Sequence, residues 1–179
     1  MKNLFSLKAQ VRAVVSLSVV IALWASSLGA LPSWGSGGQI PPCLDKNQNV
    51  IPIENERVLE MKKSTPNQYK TQSHVMGPIT EIYPDSSKHQ HFAIQLGQSP
   101  DEGLEVIYNI EFGDLPELKI GMMVEACGEY ITSNAPSRFP ASPMGAIIHW
   151  VHINPRGGAK AHPSGFVAID SYLYGQGPF

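Results

Sequence analysis

The chain has 179 residues and a mass of 19.5 kDa, with 42% apolar residues, 16% charged residues and a formal charge of −2. This composition excludes a disordered chain and a long multidomain enzyme, and makes one domain the default. Gly and Pro number 16 and 15, which points to many turns and short elements rather than a helical bundle.

Lys2, Lys8 and Arg12 precede an uncharged apolar run over residues 13–24, and no further charge occurs before Asp45. That layout predicts a signal peptide over residues 1–29, with Ala25, Ser27 and Gly29 as the small residues for cleavage after Ser27 or Gly29. The alternative is a retained anchor, because the uncharged stretch can be counted to the roughly 20 residues that span a bilayer. A membrane contact is expected only in that case. A lipoprotein is excluded, since the first cysteine, Cys43, lies far beyond the apolar run. Either way the domain is expected outside the cytoplasm, periplasmic or secreted. Without the three leading bases, ten basic residues face fifteen acidic ones, a net of −5.

Residues 30–53 read as a flexible leader rich in Gly, Pro and Ser. In residues 54–73 a short helix and a linker are expected. Early acids Glu54 and Glu56 and late bases Lys62 and Lys63 suit the helix dipole, and Pro66 follows. From His74 to Phe179 the pattern is short apolar runs with turn punctuation. Strands are expected over 79–83, 91–96, 104–112, 122–130 and 145–153, with a final element over 166–174. Five strands, with a turn or short helix between the third and fourth, predict an all-β domain with one N-terminal helix, a small OB-like five-stranded barrel. A small β-sandwich is the alternative. Gly121 suits the sharp turn into the fourth strand, and Gly128 the bend that a closed sheet needs. Cys43 and Cys127 are the only cysteines, and whether they pair is left open by the sequence.

The six histidines are His74, His89, His91, His149, His152 and His162, and four fall in two tight groups. In His89-Gln90-His91 an extended chain puts both imidazoles on one face. In His149-Trp150-Val151-His152 a regular strand sends the two imidazoles to opposite faces, so they can meet only if the strand ends or bulges there. Asn154-Pro155-Arg156-Gly157-Gly158 supplies such an end. One of the two is then expected to point inward. His89, His149, His152 and His162 are the candidate metal ligands, able to supply three or four imidazoles to zinc. Trp150, Asn154 and Arg156 complete the candidate binding site, with Trp150 read either as a stacking surface for a ring or sugar or as core.

Lys88-His89-Gln90, Leu118-Lys119-Ile120-Gly121, Gly128-Glu129-Tyr130, His149-Trp150-Val151-His152-Ile153-Asn154-Pro155 and His162-Pro163-Ser164-Gly165 together resemble the small exported bacterial proteins grouped as domain-of-unknown-function family 3465. The signature of that family is His-Trp-Thr-His-His-Asp-Pro. The resemblance covers roughly residues 77–174 and implies a fold and a site position, but no reaction. Ile153 stands where the family has its second adjacent His, and Asn154 where it has Asp.

Three functions follow as expectations. The first is a module that binds a small molecule or a protein through a His/Trp-centred site. The alternative is a metal-assisted hydrolase of nuclease or phosphoesterase type, with a His-held ion acidifying water and Arg156 facing the oxyanion. A structural or assembly role is the third. Between His74 and Tyr130 ten acids face two bases, and that charge balance argues against nucleic acid as a partner. No Gly-x-Ser-x-Gly elbow, phosphate loop or dinucleotide fingerprint occurs.

Overall fold

The computed structural model of the chain describes residues 39–157 and 162–177, so the expected signal peptide and the first part of the leader lie outside the described residues. The first helix, α1 (Asn55–Ser64), has Glu56 in its first turn and Lys62 and Lys63 in its last, each sign at the helix end it complements. Val58, Leu59 and Met61 bury its inner face in the main core. Thr65 closes it with backbone and side-chain bonds to the carbonyl of Met61, and Pro66 cannot continue it.

Seven strands follow: β1 (Lys70–Ser86), β2 (His89–Gln95), β3 (Gly103–Asn109), β4 (Met123–Thr132), β5 (Ala146–His149), β6 (Phe166–Ile169) and β7 (Tyr172–Tyr174). A single 3-10 turn, Ile110–Phe112, lies between β3 and β4. All seven belong to one sheet of order β1-β2-β3-β5-β4-β6-β7, and an added β1–β4 pairing closes the first five into a ring. The ring pairs are antiparallel except β3 with β5. This is the all-β fold with one helix that the strand pattern predicts. Two stacked sheets, the alternative, are not formed.

β1 is long because it serves two partners, β4 with residues 70–78 and β2 with residues 79–86. The sheet therefore starts at Lys70, ahead of the expected boundary at His74. Phe92, Ile94, Val106, Tyr108, Tyr130 and Ile148 are fully buried in the main core. Burying each such side chain contributes about 1.5–3 kcal/mol to the stability of the fold. The expected final element is a hairpin rather than one strand. β6 and β7 are joined by Asp170 and Ser171, whose φ values of 48° and 72° are those of a two-residue hairpin turn. Among the described residues no helix is long and apolar enough to cross a membrane.

Cys43 and Cys127 are bonded across 84 residues of sequence, and both are buried beside Phe166. Residues 43–51, expected within a flexible leader, are instead fixed against β4. Leu44 bridges Val50, and Asp45 accepts the backbone N–H groups of Asn47 and Asn49. His74 fastens the same segment, with Nδ1 2.9 Å from the carbonyl of Ile51 and Nε2 2.9 Å from Glu125 Oε1. Closing a loop of this length removes about 4.5 kcal/mol of unfolded-chain entropy in the chain-entropy relation. Replacing both cysteines by Ala is expected to lower stability by about 2–5 kcal/mol in urea titrations. A loss below about 1 kcal/mol would show that the segment is held without the bond.

Candidate functional site

β5 pairs with residues 129–132 of β4, and β6 pairs with residues 124–127 in the same direction, so β6 continues the line of β5 along one edge of β4. Gly128 faces the gap between them. The chain leaves the sheet at that gap after His149 and rejoins it at Phe166. The departure is made by Trp150, whose φ of 56° lies in the left-handed region that bulky side chains rarely adopt. The return needs Gly165, because a Cβ there would lie 2.3 Å from the carbonyl oxygens of both Cys127 and Trp150. A Cβ on Gly128 would lie 2.4 Å from the carbonyl oxygen of His149. The two bare Cα atoms let both ends of the excursion close over β4.

The strand expected to run to Ile153 therefore ends at His149, and strict alternation ends with it. Val151 turns into the core at 0% exposure, and His152 is the inward histidine at 2%. Asn154 is a positioning residue. Its Nδ2 donates to the carbonyl of His162 at 2.8 Å, its backbone N–H donates to Ser164 Oγ, and its Oδ1 accepts from the backbone of Arg156. An Asp at this position could not make the first of these bonds in its ionised form. Arg156 is exposed on the turn.

Four of the expected histidines and Trp150 come together. Trp150 stacks on His149 at 4.6 Å and on His162 at 4.4 Å, with interplanar angles of 24° and 18°. His89, set by the β1–β2 turn, lies 5.5 Å from His149, and His152 lies 5.6 Å from His162. Phe112 stacks on His152 at 3.6 Å. Phe112 belongs to the site although no motif marks it. Its only sequence signal is an aromatic residue placed just before Gly113. Gly177 holds it from the other side, donating its backbone N–H to the carbonyl of Phe112. His91 lies 6.4 Å from His89 and places Nδ1 2.8 Å from Glu105 Oε1, whose other oxygen accepts from Ser142.

Among the described residues no group of three or more His, Cys, Asp or Glu side chains is arranged to hold a metal ion. His89, His149, His152 and His162, the candidate ligands of one zinc ion, instead lie as two pairs, His89 with His149 and His152 with His162. Trp150 is stacked on one member of each pair. Of the two readings of Trp150, ligand stacking or core, neither is complete: the ring is partly buried and stacks on His149 and His162.

The hydrogen bonds of the cluster define what it offers. Nδ1 of His89, His152 and His162 lies 2.8, 2.7 and 2.7 Å from the carbonyl oxygens of Ser87, Ile153 and Pro163. A carbonyl only accepts, so each Nδ1 carries a proton, and in the neutral form of each ring the lone pair lies on Nε2. Nε2 of His149 and of His152 is buried with no hydrogen-bond partner. Leaving such an atom unsatisfied costs about 1–3 kcal/mol. Burial, together with the like charges of His89, His152, His162 and Lys70, pushes His149 down to about 3. Burial also lowers His152, against its bond to the carbonyl of Ile153. A cleft of ≈370 Å³ beside this region is lined by Lys46, Arg57, Lys70, Asp45, Glu129 and Pro163 among others.

No protein-family model matches the chain, and no curated protein matches it.

The sign of the pH dependence follows from the His149 shift. Its folded pKa is depressed below the unfolded value near 6.5, so between pH 6.5 and 3 the unfolded chain binds the extra proton. Stability from this residue is complete above pH 6.5 and is lost on acidification through that window. His149→Gln is expected to flatten the loss between pH 6 and 4 by up to one proton, about 1.4 kcal/mol per pH unit. Urea titrations of both proteins at several pH values check this, and identical slopes would contradict it.

Proposed function

We propose that this chain is an exported binding domain whose ligand is held by the imidazole nitrogens of the His149/Trp150/His152 excursion, with membership of the exported family that its His-Trp-x-His run resembles. The observation that carries the reading is the pair of buried Nε2 atoms on His149 and His152 that have no partner within the protein. A fold that tolerates two such atoms within one excursion has a use for them. Because the ring of Trp150 is already stacked on both sides of the sequence, by His149 and by His162, the ligand is one that approaches lone pairs, not one that stacks. The Cys43–Cys127 bond suits an oxidising compartment and supports export.

The hydrolase reading loses support here. It needs three protein ligands around one ion and an open position, and the described residues contain no such group. Nucleic acid is not proposed either, given the acidic balance of residues 74–130.

The test is NMR of ¹³C,¹⁵N-histidine- and tryptophan-labelled protein, titrated separately with transition-metal ions and with small hydrogen-bond donors such as phenol. The ring signals of His149 and His152 are expected to move first and to saturate with at least one probe class. Signals that stay fixed with every probe, or shifts confined to His74 and His91, would contradict the reading.

A further inference from the structure

We propose that His152 and His162 form a two-imidazole site for a copper ion, a step that deepens the binding reading above and rests on it. Both imidazoles are anchored alike. Each donates its Nδ1–H, at 2.7 Å, to a backbone carbonyl one residue along the chain, Ile153 for the first and Pro163 for the second. Metal-ligating histidines have this arrangement, because the outer bond fixes the tautomer and the ring plane and raises the basicity of the inner nitrogen. In His152 that inner nitrogen is buried and has no partner.

The spacing agrees. The centroids are 5.6 Å apart and the planes cross at 88°. Two imidazoles on one ion, through bonds of about 2.0 Å, have centroids about 4.5 Å apart at a right angle and about 6.3 Å apart in line, a range that includes the observed spacing. Neither ring is free to drift. Phe112 lies flat on His152 at 3.6 Å, and Trp150 lies nearly flat on His162 at 4.4 Å. Asn154 joins the two ligand segments by its 2.8 Å bond to the carbonyl of His162.

The donor set selects the ion. Zinc takes three or four protein ligands, and calcium and magnesium require oxygen. Two neutral nitrogens suit copper, which stands at the top of the divalent affinity order for nitrogen donors. At a bent angle between the two imidazoles its cuprous form takes a third ligand from solvent, and its cupric form completes its shell with water. In the neutral form of each ring, protonated at Nδ1, coordination through Nε2 displaces no proton.

The test is titration of tag-free, disulfide-bonded protein with Cu(II) by calorimetry, and with Cu(I) against a chromogenic chelator, with Zn(II) in parallel. Copper is expected to bind at one equivalent, and Zn(II) at least about tenfold more weakly. His162→Ala, at the half-exposed ligand, is expected to weaken copper binding by at least about tenfold, and His91→Ala to leave it unchanged. His152→Asn gives a second reading on the buried ligand, with urea unfolding used to confirm that the variant is folded. Copper affinity that survives His162→Ala and His152→Asn, or that is lost in His89→Ala instead, overturns the assignment. So does a wild-type protein that binds no copper. In that case phenol-induced shifts at His149 and His152 would leave the binding reading standing, and their absence would remove both.

Discussion

The site depends on one backbone event, the left-handed turn of Trp150 at the point where β5 stops opposite Gly128. Without it the chain would continue along β4 directly into β6. His149 and His152 would then sit on opposite faces, and no excursion would exist to bring His162 back toward Trp150. A non-glycine residue held at positive φ costs on the order of 1–3 kcal/mol and persists only where its surroundings over-determine it. Here they do. Gly165 closes against the carbonyl oxygen of Trp150, Gly175 accepts the backbone N–H of Ile153, and the backbone N–H of Gly165 donates to the carbonyl of His152.

The rest of the molecule supplies what this arrangement consumes. A continuous core within one closed sheet gives the ring its rigidity, and the Cys43–Cys127 bond ties the N-terminal segment to β4 one residue before Gly128. The strained turn and the two unpartnered nitrogens are thus mounted on the best-fixed strand of the sheet, paired on one edge by β1 and on the other by β5 and β6. Local rules of turn geometry and polar satisfaction are broken together in one place, and such coincidences mark functional ground.

Much of this was legible in the residues. Charge order and Pro66 give α1 and period-two runs give the ring strands, whereas the apolar run over 145–153 predicts a longer fifth strand than the Ala146–His149 that forms. Other features were hidden for physical reasons. The strand pairing of residues 70–73 depends on β4, more than fifty residues away, and no local pattern encodes it. The excursion looks like an ordinary loop because the continuity of β5 and β6 exists only along the edge of β4. Phe112 carries no motif, and its role arises from the 3-10 turn after β3. The four histidines look like one zinc site in sequence, and only the stacking of Trp150 on His149 and His162 resolves them into two pairs. His91 shares the face of His89, yet its Nδ1 is engaged by a buried carboxylate, Glu105.

The central claim is that the cluster fixes its imidazoles through Nδ1 and leaves Nε2 for a ligand. Long-range ¹H–¹⁵N correlation spectra of histidine-labelled protein read this directly, ring by ring. The account predicts a proton on Nδ1 of His89, His152 and His162, the neutral rings being Nδ1–H tautomers. Nε2–H tautomers at His152 and His162 would contradict it.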